Sequence, residues 1–324
     1  MLHYTIRRIL IGILTLLGIT VLTFALINMM PGDPATLKAD VEDPEVSARI
    51  YDMMVKQFDL DKPVHERYFI WLGKMVRGDF GVSFTDSQPV GPKILDRLAA
   101  TMSVATLAVI LSLLAAIPVG IVQAVKQDGW FDKSSGVTLY ALFAIPSYVM
   151  AVLLIYFVGV RWDLLPFRGM TSDDFDSMTF VGQAGDLIAH FLLITFCYTY
   201  TSIAFDSRFV RGNLLEVLRQ DYVRTARAKG LPERVVVLKH AFRNTFIPLL
   251  TRLGFMVPAL ISGSVILEVI FTWPGLGRLF FDGIMGRDYP VMMASIVITS
   301  SLVLVGILLA DLLYAWADPR ISYA

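Results

Sequence analysis

The feature that constrains this chain most is a series of long runs without a formal charge. The first covers Ile9 to Gly32, the second Leu98 to Val125, and the third Ser134 to Val160. A fourth, shorter and more polar, covers Leu187 to Phe205. A fifth starts after Arg252 and is broken by Glu268; a sixth covers Tyr289 to Ala310 and continues past Asp311 to Ala317. About 20 mostly apolar residues in a helix cross the hydrocarbon core of a bilayer. A helix also satisfies its own backbone polar groups where no water is present. The runs therefore predict an all-α membrane protein with six transmembrane helices. Composition agrees: 56% of residues are hydrophobic and 17% charged, against roughly 45–50% and 25% in soluble domains. That balance excludes a disordered chain and fits a water-soluble enzyme poorly. Arg7 and Arg8 precede the first run as in a signal peptide. The run is longer than a signal's apolar stretch and no small-residue cleavage site follows, so it is expected to remain as a span.

Six spans put both termini on one side, and Lys and Arg in short loops select that side. Segments 1–8, 126–133, 206–252 and 318–324 hold 15 basic residues, whereas the short segments 161–186 and 268–288 hold 4. The long 33–97 segment is discounted, because long loops cross largely regardless of charge. Both termini and the 206–252 loop are therefore expected in the cytoplasm. The formal net charge of zero gives no indication of a nucleic-acid partner. It is the sum of a positive cytoplasmic side and a negative outer side.

The 33–97 segment is too long for a simple connection. It reads as two amphipathic helices. In the first, Asp43-Pro44 supplies a cap and a first-turn proline, followed by Val46, Ile50, Met53, Met54 and Phe58 at helical spacing. In the second, Pro63 leads into Val64, Tyr68, Trp71, Leu72 and Met75, and Gly78 ends it. These helices either lie on the membrane surface or pack on the spans. The 206–252 loop reads as a helix–glycine–helix elbow. Asn213 and Glu216 have the spacing of a capping box. Leu215, Leu218, Tyr222 and Ala226 form an apolar stripe flanked by Arg219, Arg224, Arg227 and Lys229. Gly230 stops that helix, and Pro232 starts a second one that carries Val235, Val236, Leu238, Lys239, His240 and Arg243 into Pro248. Such a knob suits a docking surface; a basic loop that touches anionic membrane lipid has the same charge pattern.

Motifs for chemistry are missing. Gly73-Lys74 lacks the upstream glycine and the hydroxyl residue of a phosphate loop, and His65-Glu66 has no second histidine for a zinc site. Pro274-Gly-Leu-Gly-Arg278 lacks the third glycine of a dinucleotide fingerprint. Cys197 stands alone, which excludes an internal disulfide and a multi-cysteine metal centre. Catalytic, cofactor and metal sites are thus not expected on this chain. Among ionisable residues in the spans, Glu268 and Asp311 fall near span ends close to water. Arg252 is terminal and able to snorkel, and His190 lies one turn into span four. No chain of buried carboxylates marks an ion-driven pump. Pro118, Pro146 and Pro258 interrupt spans, as kinks in a gated bundle do.

Two stretches carry a resemblance: Asp221-Tyr-Val-Arg-Thr-Ala-Arg-Ala-Lys-Gly-Leu231 and Lys239-His-Ala-Phe-Arg-Asn-Thr-Phe-Ile-Pro248. Together they resemble the EAA loop of ABC-importer permeases, most closely the dipeptide/oligopeptide (peptide/nickel) family. Gly263-Ser-Val-Ile-Leu-Glu268, Phe271-Thr-Trp-Pro-Gly-Leu-Gly-Arg278, Asp288-Tyr-Pro-Val291, Asp311-Leu-Leu-Tyr314 and Asp318-Pro-Arg-Ile321 also fit that family. So do Ile6-Arg-Arg-Ile-Leu10, Pro31-Gly-Asp-Pro34, Leu60-Asp-Lys-Pro63 and Gly78-Asp-Phe-Gly81 upstream. The likeness spans nearly the whole chain and is to the first of two permease subunits, the type with a long extracytoplasmic loop.

The resemblance implies a type I ABC-importer permease in the bacterial cytoplasmic (inner) membrane. Residues 1–32 would form the N-terminus and first span, 33–97 an extracytoplasmic helical loop, and 98–324 a five-helix core with its coupling loop at about 206–248. The EAA positions fall on Arg224, Thr225 and Ala226, with an arginine at the first, and the glycine on Gly230. Together with Ala228, Lys229 and Leu231 these residues would couple to an ATPase. The implied partners are a second homologous permease, two ABC ATPase subunits that use ATP and Mg, and a periplasmic or lipoprotein substrate-binding protein. Di- or oligopeptides are the implied cargo, with nickel, glutathione or another small solute as alternatives. A gradient-driven carrier or channel, or a membrane-embedded enzyme, would belong to different classes.

Overall fold

The computed structural model describes residues 2–29 and 61–317, with positions 48, 51, 52, 55 and 59 between them. The helix expected from Asp43-Pro44 to Phe58, and the Asp318-Pro-Arg-Ile321 stretch, lie outside the described residues. Among the described residues there is no sheet, only one isolated antiparallel bridge between Val82 and Pro89. The helices are α1 (Leu2–Asn28), α2 (Val64–Val76), α3 (Val90–Val125), α4 (Trp130–Ala144), α5 (Ser147–Leu154), α6 (Phe180–Leu218), α7 (Asp221–Ala228), α8 (Phe242–Ser262), α9 (Val265–Ile270), α10 (Leu276–Met285) and α11 (Tyr289–Ala317). Four of them contain a stretch long and apolar enough to cross a membrane: Thr5–Asn28, Val90–Val125, Phe180–Leu218 and Tyr289–Asp311. A fifth candidate is the broken pair Trp130–Ala144 and Ser147–Arg161, bent by 91°. Leu10, Leu14, Leu22 and Leu26 on α1 are each more than 60% exposed. An apolar face that long is covered by lipid or protein rather than water.

The third run was expected as one span, and Pro146 is the physical reason it is not straight. Proline disfavours helical geometry in the residue before it, and Ile145 is extended at φ −83°, ψ 120°. The freed Ile145 carbonyl accepts a 2.5 Å bond from the Tyr200 hydroxyl of α6. After α5 the helix widens to i→i+5 bonding over Ile155–Arg161, where Trp162 N–H donates to Phe157 O at 3.0 Å.

The chain divides into two compact units. One comprises Met1–Leu98 and Leu279–Leu308 with the last two residues. Here the expected helix from Pro63 to Gly78 is present as α2, with Gly78 at φ +79°. It packs on α1: Tyr68 and Thr20 hydroxyls are 2.9 Å apart, Arg67 donates to Asn28 Oδ1 at 2.7 Å, and Phe24 lies edge-on to Tyr68. Buried Asp288 accepts from Ser83 Oγ at 2.5 Å and from the Thr85 N–H at 3.2 Å. It thereby ties the turn after α2 to the start of α11.

The other unit comprises Ala99–Arg278 and Leu309–Ser322. Its main core gathers Ala100, Val104, Ala151, Leu193, Ile194, Cys197, Leu267, Phe271 and Trp273. Trp273 is fully buried, and its indole N–H donates to Ala100 O at 3.0 Å. Glu268 was expected near water; instead it is 0% exposed. Its carboxylate accepts from Thr101 Oγ1 at 2.8 Å and from the Arg278 N–H at 3.1 Å. A Cβ on Gly263, Gly275 or Gly277 would meet that carboxylate at 3.0 Å or closer. The three glycines therefore build the cage that holds it.

Candidate functional site

The elbow at 206–252 is where charge and turn signals concentrate, and the structure redraws its first half. At 1.5 Å per residue, 39-residue α6 is about 58 Å long, well beyond the 30 Å of a bilayer core. It does not stop at Phe205 but carries Asp206, Arg208 and Arg211 onward to Leu218. Two carboxylates make this possible. Asp206, 1% exposed, accepts from Arg252 Nε at 2.6 Å and from Ser112 Oγ at 3.2 Å. Asp132 accepts from Arg211 Nε at 2.8 Å and Nη2 at 2.6 Å. Arg252 is thus held by Asp206 rather than snorkelling freely. His190 was placed one turn into its span. It lies deeper in α6 and bonds Asp186 O through Nδ1 at 2.9 Å. The crossing of α3 and α6 is close at Gly120, where a Cβ would stand 2.5 Å from Ser207 O.

The expected capping box at Asn213 and Glu216 is absent, because Asn213 lies inside α6 and donates to Phe209 O at 2.8 Å. The break comes instead at Arg219-Gln220, where Gln220 turns extended at ψ 149° and α7 begins. The proposed stripe through Leu215, Leu218, Tyr222 and Ala226 is therefore split between two helices, and Tyr222 is exposed. The apolar face that α7 does use is Val223 and Ala226. They pack with Ala124, Leu214, Val236, Val237 and Ala241 into a small separate core. Full burial of one valine stabilises by roughly 1.5–3 kcal/mol. That exceeds any surface ion pair here, so packing fixes α7 on its base.

Gly230 adopts φ +75°, the left-handed turn expected after α7, and its N–H donates to Arg227 O at 2.9 Å. Pro232 follows as the cap of a short turn at Glu233–Val235. The second helix does not end at Pro248. It passes through wide i→i+5 turns at Val236–Ala241 into α8, which contains both Pro248 and Pro258. Arg227 clasps Glu233 across the glycine, at 2.7 and 3.1 Å. That clasp holds the Glu233 carboxyl below its ordinary range. Tyr222 OH accepts from Asn244 at 2.6 Å. Neither pair has regular helical spacing, which is why the sequence pattern did not reveal them.

Of the seven residues singled out for coupling, the structure turns six outward. Arg224 is 72% exposed at its side chain and 3.6 Å from Asp221. Thr225, Ala228, Lys229 and Gly230 are exposed, and Leu231 is 37% exposed. Ala226 faces inward at 6% exposure, so its small size serves the knob's own base. The result is an anchored projection with a net basic outer face. Among the described residues no group of three His, Cys, Asp or Glu side chains is placed to hold a metal ion.

Comparison with known proteins places this architecture. Residues 116–323 match the family described as binding-protein-dependent transport system inner membrane component, and residues 1–105 match its N-terminal membrane-component family. The chain is 41% identical over 321 residues to the oligopeptide transport system permease protein AppB of Bacillus subtilis (strain 168), covering 99% of each. It is 34% identical over 339 residues to the dipeptide transport system permease protein DppB of Escherichia coli (strain K12), covering 100% of this chain and 99% of that one. The glutathione transport system permease protein GsiC of Escherichia coli (strain K12) is 34% identical over 323 residues, covering all of both. Among solved structures, a chain of the inward-facing MetNI methionine ABC transporter shares the fold, with a TM-score of 0.54 at 17% identity over 69% of this chain and 96% of that one. The chain belongs to the inner-membrane permease components of binding-protein-dependent transport systems.

Proposed function

We propose that this chain is the membrane-spanning permease subunit of an ATP-driven importer that moves di- and oligopeptides into the bacterial cytoplasm. The observation that carries the reading is the anchored knob at 219–243, with an exposed basic face and a glycine turn, on a chain without a phosphate loop. The full-length likeness to oligopeptide and dipeptide permeases supports the cargo class. The glutathione permease at the same identity as the dipeptide one keeps that short peptide within the same class.

In this reading six spans cross the inner membrane: α1, α3, the bent α4–α5 pair, α6, α8 and α11. The fifth crossing begins at Arg252, which Asp206 holds at the cytoplasmic end, and continues through the rest of α8 towards α9. Both termini and the knob face the cytoplasm, where basic residues in short loops concentrate. Residues 33–97 lie on the outer side as a helical loop, and 98–324 form the core.

The chain has no catalytic task. Two partner ATPase subunits hydrolyse ATP with Mg, and a second homologous permease completes the pore. An outer substrate-binding protein, periplasmic or lipid-anchored, delivers the peptide. Arg224, Thr225, Ala228, Lys229, Gly230 and Leu231 meet the ATPase surface, and Ala226 seats the helix that presents them. Because Val223 and Ala226 lock α7 to the ends of α3 and α6, displacement of the knob moves those helices as a body. The test is Arg224→Glu in the reconstituted complex. Membrane insertion and assembly are expected to persist while substrate-stimulated ATP hydrolysis and peptide uptake fall to background. Unchanged uptake and hydrolysis would remove the coupling role.

A further inference from the structure

Between α4 and α6 lies a cleft of about 360 Å³ lined by Tyr140, Phe143, Ala204, Phe205, Arg208 and Phe209. Its walls are aromatic and its only charge is Arg208, whose guanidinium lies 3.8 Å over the Tyr140 ring. A cation above a ring face keeps its in-plane N–H donors available. The two arginines nearby are committed: Arg211 to both oxygens of Asp132, and Arg252 to Asp206. Asp132 faces Arg208 beyond ion-pair distance, and both its oxygens are taken by Arg211, so two arginines share one carboxylate. The cleft therefore carries one surplus positive charge beside an apolar wall.

Depth indicates the occupant. Arg208 stands three residues beyond Phe205, where the apolar run of α6 ends. That is about 4.5 Å along the axis, the level of lipid headgroups rather than acyl chains. Tyr140, Phe143 and Phe205 beside it are half-exposed aromatic walls. One anionic group above two acyl chains has the complementary arrangement, and basic pockets between helices on the cytoplasmic side bind such headgroups.

We propose that this cleft seats the phosphate-bearing headgroup of one anionic phospholipid of the cytoplasmic leaflet, with Arg208 as its cation. The choice of leaflet rests on the topology proposed above. The experiment is native mass spectrometry of the purified whole complex in detergent, supplied with phosphatidylglycerol or with phosphatidylcholine. Wild-type complex is expected to retain one phosphatidylglycerol per copy of this chain. Arg208→Gln should lower that occupancy about fivefold, the loss typical of one basic residue near an anionic surface, and Arg208→Lys should retain most of it. Inorganic phosphate should not displace the lipid. Equal retention by wild type and Arg208→Gln would overturn the proposal, as would displacement by inorganic phosphate, or a structure of the complex with partner side chains filling the cleft. Thiol labelling of Lys126→Cys from each side of intact membranes reads the topology separately. Labelling from outside alone would overturn the leaflet assignment without altering the lipid measurement.

Discussion

Substitution of Gly230 separates backbone geometry from crowding. A Cβ at this position would meet nothing within 4 Å, yet φ is +75°. Alanine therefore adds only the cost of an L-residue in the left-handed region, about 1–2 kcal/mol. Asparagine, which tolerates that region, costs less. Proline is different in kind. Its φ is fixed near −65°, so the turn must be rebuilt, and the 2.9 Å bond from Gly230 N–H to Arg227 O is lost. The combined cost is about 3 kcal/mol or more, comparable with the whole anchoring from Val223 burial. Alanine thus raises transient opening of the knob about 5- to 30-fold from a low level, while proline displaces it. The assay is ATP hydrolysis by the reconstituted complex with substrate-loaded binding protein, alongside limited proteolysis of residues 219–243. Asparagine and alanine should stay near wild type; proline should leave assembly intact but abolish stimulation and expose the segment to protease. Alanine as damaging as proline, or a harmless proline, would refute this reasoning.

Three further outcomes follow from the geometry. Arg252→Gln should destabilise the chain by about 3–5 kcal/mol, because it strands the buried Asp206 carboxylate. Adding Asp206→Asn should restore most of that loss in thermal unfolding in detergent; no restoration would mean the two are not coupled. Gly120→Ala should cost about 1–3 kcal/mol by the same measurement, since its Cβ would press on Ser207 O and Val210. The Arg227–Glu233 clasp should depend on pH. Arg227 lowers the folded carboxyl's pKa, so the clasp contributes fully above the unfolded value near 4.5 and is lost as pH falls through the lower folded value. Hydrogen exchange at residues 227–233 should therefore rise only below about pH 4.5. Glu233→Gln should remove that dependence.

How much of this was legible depended on whether the signal was local. Charge-free runs define α1, α3 and α11 because lipid demands apolar length and little else. Pro63 and Gly78 bracket α2 by chemistry that acts within one turn. The bend after Ala144 was visible as a proline, but its size was not, since Tyr200, 55 residues away, takes up the freed carbonyl. The same limit hid the full length of α6. Asp206 and Arg211 read as the start of a loop, and only their distant partners, Arg252 and Asp132, make a helix through them reasonable. Glu268 looked like a span-end residue because its hydroxyl partner Thr101 lies 167 residues away, and the nearby Gly263, Gly275 and Gly277 read as turn glycines rather than as the walls of a cage. In the knob, the glycine turn and its exposed residues were legible. The break at Arg219-Gln220 has no glycine or proline to announce it, so the stripe through Leu215, Leu218, Tyr222 and Ala226 includes the exposed Tyr222 and misses Val223, which is buried beside Ala226.

The central claim is that the knob at 219–243 is the point where this permease receives the work of ATP hydrolysis. The most direct measurement places a photocrosslinking residue at the exposed position of Arg224 in the assembled complex and identifies the adduct. The expected product joins this chain to an ATPase subunit, with a yield that changes between nucleotide-free and ATP-bound states. An adduct only to lipid or to the substrate-binding protein, with no ATPase product in either state, would contradict the claim.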